Sequence, residues 1–335
     1  MQIIQSRRDF LVSLSAASAA GVLRPRASVA DEGPPETTSV RVAKTLGICS
    51  APQYIADDLL RAEGFTDITY VPTAGGFTVP QTVGRGEIDF ASTFAATVVY
   101  HLDAGVPVTA LSGLHSGCFE LFTHGPIQSI GDLKGRSVGV QSLSSSAHLY
   151  MAIMAAQVGL DPREDLDWVV PPEGKAMELF AERKVDAFLG FPPEPQELRA
   201  RKVGRMILST ATDKPWSDYF CCTVYGNRDF VRAHPVATKR YLRALLKATD
   251  LCATEPEQAA QGLIDAGFAA RYDYALQTLI ETPYDRWREF DAEDTMRFFA
   301  LRLHEVGMVS SSPNALLADG TDWRFLNELK RELKA

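Results

Sequence analysis

Short β-forming segments alternate with helical patterns over residues 40–111, and this alternation constrains the fold more than any other feature of the chain. Four apolar segments predict strands, at residues 40–48, 68–71, 87–91 and 106–111. Helical patterns separate them, and the last of these is predicted to begin at residue 92 and end at residue 104. Because strands joined through helices pair in parallel, this region predicts a parallel sheet flanked by helices.

A second series of strand and helix patterns follows and resembles the first. Strands are predicted at residues 137–140, 167–170 and 185–189, and the first of them leads through a serine-rich loop into a helix that ends at Gly159. The string KVD at residues 184–186 occupies the same place in this series as EID at residues 87–89 in the first. The repetition predicts an α/β protein with two similar lobes.

Two segments are predicted to connect the lobes as hinge strands, near residues 118–123 and 219–225. They assign residues 119–224 to a second lobe, and residues 40–118 and 225–335 to the first. From residue 235 the pattern is mostly helical. Helices are predicted at residues 235–254, 258–266, 272–280, 292–306 and 323–334.

The first 30 residues have the pattern of an export signal. Arg7 and Arg8 precede an apolar run of 13 residues, which is shorter than the roughly 20 residues that a membrane-spanning helix needs. Small residues at positions 28–30 offer a cleavage site before Asp31. The pattern resembles a twin-arginine (Tat) signal, and an ordinary Sec signal with a chance arginine pair is the alternative. Either signal predicts export, and a linker at residues 31–39 follows it.

Charge and cysteine content narrow the functional classes. The chain has a net charge of −8, and because the predicted signal carries four arginines and one aspartate, the remaining residues carry about −11. An acidic surface disfavours nucleic acid as a partner. The five cysteines are an odd number without the spacing of a small disulfide scaffold, so no disulfide framework is predicted. Free thiols fit Tat export, because a Tat substrate folds in the reducing cytoplasm.

The serine-rich loop carries the clearest sign of a ligand site. Ser144, Ser145 and Ser146 offer hydroxyl groups at the start of a helix, and His148 lies in its first turn. The free N–H groups and partial positive charge of a helix N-terminus attract anions. The alternative is that the serines only cap the helix, but one residue suffices for that, and we expect a ligand role for at least one of them.

Four strings resemble a known family: GRGEIDFA at residues 84–91, IGDLKGRSVGV at residues 130–140, DFVRAHP at residues 229–235 and GTDWRFL at residues 320–326. With the export signal and the two-lobe pattern, the chain resembles the substrate-binding proteins of nitrate, sulfonate and taurine ABC importers, including the NMT1/THI5-like branch. The resemblance implies a periplasmic binding protein of type II, with two lobes and two hinge crossings. It implies a monomer without cofactor or catalysis that closes over a small solute and delivers it to the importer's permease in the membrane.

Ligands of α/β sheets bind beyond the carboxyl ends of the strands, and this rule selects candidate contacts on both lobes. On the first lobe the candidates are Cys49, Gln53, Tyr54, Gly75, Gly76, Phe77, Ser92, Thr93 and Phe94. On the second lobe they are Ser144, Ser145, Ser146, His148, Phe191 and Glu194, and Tyr219 lies near a crossing. Hydroxyl groups suit a carboxylate or sulfonate, and aromatic rings suit an organic body. We therefore expect an organic solute with one anionic end.

Several thiols and imidazoles are also predicted near the cleft or the hinge: Cys49, Cys118, Cys221, Cys222, His115, His124 and His148. A metal ligand set is one interpretation, but no C-x-x-C or H-x-x-x-H spacing supports it. We predict buried, unreactive thiols and no metal. Glu194 would suit a ligand that carries an amine or another donor, and the alternative is that it faces solvent.

Three other functions are compatible with parts of the pattern. A sensory binding protein that docks on a receptor would have the same features as a transport component. A pyrimidine synthase of the THI5 type is a weaker alternative, since the pair Cys221 and Cys222 only faintly resembles its cysteine-rich run. A hydrolase built on Ser144 and His148 is disfavoured, because no G-x-S-x-G turn surrounds the serines.

Overall fold

The computed structural model of this chain describes residues 32–45, 47–73, 77–172 and 175–334. The predicted signal peptide lies outside the described residues, as do the candidate contacts Gly75 and Gly76. No helix within the described ranges is long and apolar enough to cross a membrane.

The described residues form ten strands in two sheets. The strands are β1 (Ser39–Lys44), β2 (Asp67–Pro72), β3 (Phe90–Phe94), β4 (Val108–Ser116), β5 (Glu120–Thr123), β6 (Arg136–Gly139), β7 (Leu166–Val169), β8 (Ala187–Gly190), β9 (Arg205–Ser209) and β10 (Phe220–Asn227). The first sheet has the order β2-β1-β3-β10-β4, and the second has the order β7-β6-β8-β5-β9.

Helices flank both sheets. The α-helices of the described ranges are α1 (Ala51–Ile55), α2 (Asp57–Ala62), α3 (Val79–Gly84), α4 (Ala95–Asp103), α5 (Ser146–Gln157), α6 (Ala176–Ala181), α7 (Glu194–Ala200), α8 (Arg228–Ala233), α9 (Pro235–Thr254), α10 (Pro256–Asp265), α11 (Tyr272–Glu281), α12 (Ala292–Glu305), α13 (Pro313–Gly320) and α14 (Arg324–Glu332). Short 3₁₀ turns lie at Ile48–Ser50, Ile130–Leu133, Trp216–Asp218 and Tyr284–Arg286.

The two sheets have the same topology, which confirms the predicted α/β fold with two similar halves. In the first sheet β1 pairs in parallel with β2 and β3, and in the second β6 pairs in parallel with β7 and β8. Each sheet also contains one antiparallel strand, β10 in the first and β5 in the second. Both are the strands with which the chain arrives from the other sheet. The mainly parallel sheet predicted for each half is therefore confirmed, and the strands of residues 40–111 run in one direction, with the antiparallel β10 inserted between β3 and β4.

Several predicted strand boundaries are wrong. The first strand ends at Lys44, four residues earlier than predicted, and β4 continues to Ser116. The third strand begins at Phe90 because Asp89 ends the preceding turn with a buried carboxylate, which accepts hydrogen bonds from the Arg41 main chain (2.7 Å) and guanidinium (2.6 Å). The next helix begins at Ala95, directly after β3, instead of at residue 92.

The two chain crossings between the sheets pack against each other. The Thr210 hydroxyl accepts hydrogen bonds from the main-chain N–H groups of Cys118 (3.1 Å) and Phe119 (2.9 Å). Gly117 has a φ of +38°, and a Cβ at this position would overlap the backbone of Ala211. Since both contacts join the β4–β5 crossing to the segment after β9, they hold the two crossings together.

This close approach predicts that Gly117→Ala lowers the free energy of unfolding by at least about 2 kcal/mol, because backbone strain and a main-chain overlap add. Gly125→Ala is the matched control, since Gly125 has a φ of +65° but a Cβ added there would have no heavy atom within 4 Å. Urea unfolding of both variants measures the difference. Equal losses in the two variants would contradict a role of the close approach.

Candidate functional site

The carboxyl ends of strands from the two sheets face each other, and segments beyond them are in contact. The Ile48 N–H group, after β1, donates a hydrogen bond to the Pro192 carbonyl, after β8 (3.4 Å). The Thr97 hydroxyl at the start of α4 hydrogen-bonds the Ser146 hydroxyl at the start of α5 (2.9 Å). The structure therefore has the two halves closed on each other at this edge.

The serine loop makes most of these contacts. Ser144 adopts a positive φ of 70°, and its hydroxyl donates to the Tyr100 hydroxyl of α4 (3.3 Å). Ser145 is the N-cap of α5, because its hydroxyl accepts from the His148 N–H group (3.3 Å). One serine caps the helix and two face the first half of the molecule. Their ligand role stays a prediction.

The partners of this loop, Thr97 and Tyr100, are absent from the candidates that the sequence supplied. Both lie on α4, one to two turns beyond the end of β3. The rule that ligands bind beyond strand ends would have found Thr97 if the first turn of the following helix had been included.

His148 is buried, and it does not add a positive charge to the loop. Its Nδ1 atom accepts a hydrogen bond from the Ser144 N–H group (3.0 Å), and its ring packs edge-on against Trp168 with centroids 4.5 Å apart. Burial lowers the pKa of His148 to about 4. A neutral imidazole at pH 7 shapes the serine loop without adding charge, and the N-terminus of α5 supplies partial positive charge there.

Glu194 lies in the first turn of α7 and points toward the same edge. Its carboxylate accepts a hydrogen bond from the Phe191 N–H group (3.3 Å), and the Gln141 side chain donates to its other oxygen (3.5 Å). Burial raises the pKa of Glu194 to about 7. The carboxyl group is therefore partly protonated at neutral pH, and in that form it donates a hydrogen bond and does not repel an anion.

Three candidates on the first half are fully used by the scaffold. The Gln53 side-chain amide donates to the Ala43 carbonyl (2.5 Å), and its oxygen accepts from the Ser92 hydroxyl (3.3 Å). The Tyr54 hydroxyl accepts from the Thr45 N–H group (2.8 Å). All three side chains are at most 4% exposed. Contrary to the predicted position after the third strand, Ser92 lies within β3.

The remaining aromatic candidates pack within the protein. Phe94, also within β3 together with Thr93, stacks on Tyr150 with centroids 4.4 Å apart. Phe77 packs on α4, where its carbonyl hydrogen-bonds His101 (2.8 Å). Tyr219 stacks on Phe298 with centroids 3.9 Å apart and meets Phe299 edge-on at 6.5 Å, and Phe191 lies 5.6 Å from Phe119. Of these four rings, Phe77, Phe191 and Tyr219 stay partly exposed.

A cluster of sulfur and nitrogen atoms lies under this edge. The Sγ atoms of Cys49, Cys118 and Cys222 and a ring nitrogen of His115 all lie within 4.8 Å of one another, and all four side chains are buried. Cys221 is adjacent, with its Sγ atom 3.4 Å from that of Cys118. Hydrogen bonds with Cys118, Cys221 and Cys49 hold the pKa of Cys222 well below its usual range. We name the side chains of Cys49, His115, Cys118 and Cys222 the Cys49 cluster.

With this geometry in place, comparison with known proteins identifies the family. The NMT1/THI5-like family model matches residues 51–259, well over half of the chain. The chain belongs to the NMT1/THI5-like family. Membership confirms the resemblance seen in the sequence strings. No match was found among curated proteins.

Several solved structures with the same fold are named as binding proteins. The chain is similar to the periplasmic nitrate-binding protein NrtA from Synechocystis PCC 6803, with 17% identity, coverage of 90% of both chains and a TM-score of 0.75. It is similar to the alkanesulfonate-binding protein SsuA from Xanthomonas axonopodis pv. citri bound to MOPS, with 17% identity, coverage of 86% and 99% and a TM-score of 0.70. The aliphatic sulphonate binding protein SsuA from Escherichia coli has 17% identity, coverage of 84% and 91% and a TM-score of 0.67.

The Glu194 carboxyl predicts a specific pH dependence of stability for this NMT1/THI5-like chain. Because burial raises the pKa of Glu194 from 4.5 to about 7, the folded chain binds more protons than the unfolded chain between these values. The free energy of unfolding therefore falls as the pH rises through this range, by about 1–3 kcal/mol from this group. In Glu194→Gln this component is absent, and the variant gains stability relative to the wild type as the pH rises.

Urea unfolding at pH 5, 6, 7 and 8 measures the effect. Glu293→Gln is the matched control, since Glu293 also lies in the first turn of a helix (α12) and its carboxylate pairs with Arg297 (2.8 Å) at the surface. The difference between the control and the wild type is expected to stay nearly constant with pH. Parallel curves for Glu194→Gln and the wild type would refute the buried-acid assignment.

Proposed function

We propose that this chain is an exported solute-binding protein that captures a small organic solute with an anionic end between its two halves and delivers it to an ABC importer. The observation that carries the proposal is the pair of opposed strand ends. In α/β proteins this edge holds the ligand, and here two such edges close on each other through Ile48, Pro192, Thr97 and Ser146.

The contacts between the halves supply a binding mechanism. A ligand that touches both halves favours the closed arrangement by its differential affinity for the closed form. The Thr97–Ser146 and Tyr100–Ser144 hydrogen bonds would add to that preference, because they form only when the halves meet. The paired crossings at Gly117 and Thr210 are suited to act as the hinge.

The side chains at the edge support an anionic group attached to an organic body. The N-terminus of α5 offers main-chain N–H groups beside the hydroxyls of Ser144 and Ser146. A protonated Glu194 is a further hydrogen-bond donor, and the partly exposed rings of Phe77 and Phe191 offer apolar contact. The related structures are named for nitrate and sulfonate binding, so nitrate, taurine and short alkanesulfonates are the first probes.

Export by the Tat pathway, a periplasmic location and docking on a permease are parts of the same proposal. They rest on the twin-arginine pattern at residues 1–30 and on the names of the related structures, several of which are periplasmic binding proteins. The two chain crossings, from β4 to β5 and from β9 to β10, support two lobes joined near residues 118–123 and 219–225.

The proposal predicts that protein purified without refolding carries a small solute or binds one of the probes. Native mass spectrometry identifies a bound solute by its mass, and calorimetry measures its affinity after removal. Ser146→Ala is expected to weaken binding by about 2- to 10-fold, because it removes one hydrogen bond of the closed form, worth about 0.5–1.5 kcal/mol.

Ser129→Ala is the matched control, because the Ser129 hydroxyl bonds only the nearby Asp132 (3.0 Å) in an exposed turn. Its affinity should equal that of the wild type. A folded protein that carries no solute and converts a probe into a product, instead of holding it unchanged, would contradict the proposal. Equal affinities for Ser146→Ala and the wild type would contradict the closing mechanism.

A further inference from the structure

The Cys49 cluster has the composition and burial of a metal site. Its four members are between 0% and 8% exposed and supply three thiols and one imidazole. They come from four places in the chain: the turn after β1, the end of β4, the first crossing and the start of β10. A set of four sulfur and nitrogen ligands without carboxylates is typical of closed tetrahedral sites for Zn²⁺ and related d¹⁰ cations.

The imidazole of His115 is oriented as in a metal site. Its Nδ1 atom is 3.0 Å from the Ser116 carbonyl and donates to it, which directs the lone pair to Nε2. Nε2 is buried and has no hydrogen-bond partner among the described residues. An unpaired buried acceptor costs free energy, and a metal ion bound at Nε2 would remove that cost.

Neighbouring groups hold the cluster in place. The Tyr284 hydroxyl donates to the Cys49 carbonyl (2.8 Å), and the Tyr284 ring packs edge-on against His115 with centroids 5.3 Å apart. The main-chain N–H group of Cys118 is fixed by the Thr210 hydroxyl. A Zn–S bond of about 2.3 Å corresponds to sulfur–sulfur separations of about 3.8 Å in a tetrahedron. The side chains, at most 4.8 Å apart, therefore need to move inward by only about 1 Å.

We propose that Cys49, His115, Cys118 and Cys222 bind one thiophilic d¹⁰ cation, of which Zn²⁺ and Cu⁺ are the representatives. Binding releases the protons of those cysteines that are still protonated, and no electron transfer is involved. No ligand comes from β6–β9, so the ion is a resident of the hinge and not the solute held between the halves. It joins the turn after β1 to β4, β10 and the first crossing. The proposal goes beyond solute capture and does not depend on it.

The first test uses the wild-type chain and the metals themselves. Protein is reduced, freed of metal by a chelator and titrated with Co²⁺, a spectroscopic substitute for Zn²⁺. We expect one equivalent to give thiolate-to-cobalt charge-transfer bands and the intense visible bands of tetrahedral cobalt, and one equivalent of Zn²⁺ to abolish them. X-ray absorption of the zinc form should show three sulfur and one nitrogen neighbours. Because no variant is needed, a folding defect cannot obscure the result.

The second test assigns the ligands. Cys222→Ser and His115→Gln are each expected to weaken Zn²⁺ binding at least 10-fold in a competition with a chromophoric chelator. Cys252→Ser is the matched control, because Cys252 is equally buried in α9 but lies outside the cluster, and it should bind as the wild type does. If the ligand variants do not fold, the X-ray absorption result on the wild type decides.

Two outcomes would overturn the proposal. One is that reduced wild-type protein takes up neither Zn²⁺ nor Cu⁺ in stoichiometric amount. The other is that Cys222→Ser binds cobalt and zinc with the same affinities as the wild type does. A Cys118–Cys221 disulfide, made feasible by the 3.4 Å between their Sγ atoms, counts against the site if metal uptake stays absent after its reduction. Solute binding is measured separately, so either proposal can fail alone.

Discussion

The hydrogen-bond ladder of β10 is the interaction on which the rest of this structure depends. The strand enters the first sheet from the second and pairs antiparallel with both β3 and β4, and all of its residues are buried. Without it the first sheet would be split into a β2-β1-β3 part and an isolated β4, each with an unpaired buried edge. The strand β5 has the same place in the second sheet. Each half of the molecule is therefore completed by a strand that comes from the other.

The same ladder determines the chemistry beneath the cleft. Cys222 lies opposite Phe94 on β3 and His115 on β4, so its pairing brings the ligands of the Cys49 cluster together. In a regular strand the adjacent Cys221 would point to the opposite face. The pairing with β4 is irregular on both sides of Cys222, and such bulges re-aim side chains. This irregularity explains how Cys221 and Cys222 both approach Cys118.

Patterns among neighbouring residues predicted those features of the fold that depend on neighbouring residues. The alternation of strands and helices indicated the α/β class, the repetition indicated two halves, and the helix Pro235–Thr254 was predicted with its observed bounds. The antiparallel insertion of β10 was not predictable, because no local pattern shows where a strand from residue 220 onward will pair. The start of β3 depends on the ion pair of Arg41 and Asp89, whose members are 48 residues apart. The candidate site shows the same difference between local and distant features. The serine loop was found from its own sequence, but its distant partners on α4 were not.

Spacing motifs could not show the Cys49 cluster for the same physical reason, since its side chains lie on separate segments between residues 49 and 222. Their arrangement places the proposed metal site apart from the proposed solute cleft. The proposed opening of the halves would break the contacts of Ser146 with Thr97 and of Ile48 with Pro192, which span the cleft. The four side chains of the Cys49 cluster lie on the first sheet, the turn after β1 and the crossing, where Thr210 holds the chain, and the proposed opening would not require them to move. A bound ion would therefore fix the first crossing to the first sheet beside the proposed hinge, and the proposed opening of the cleft would leave it in place.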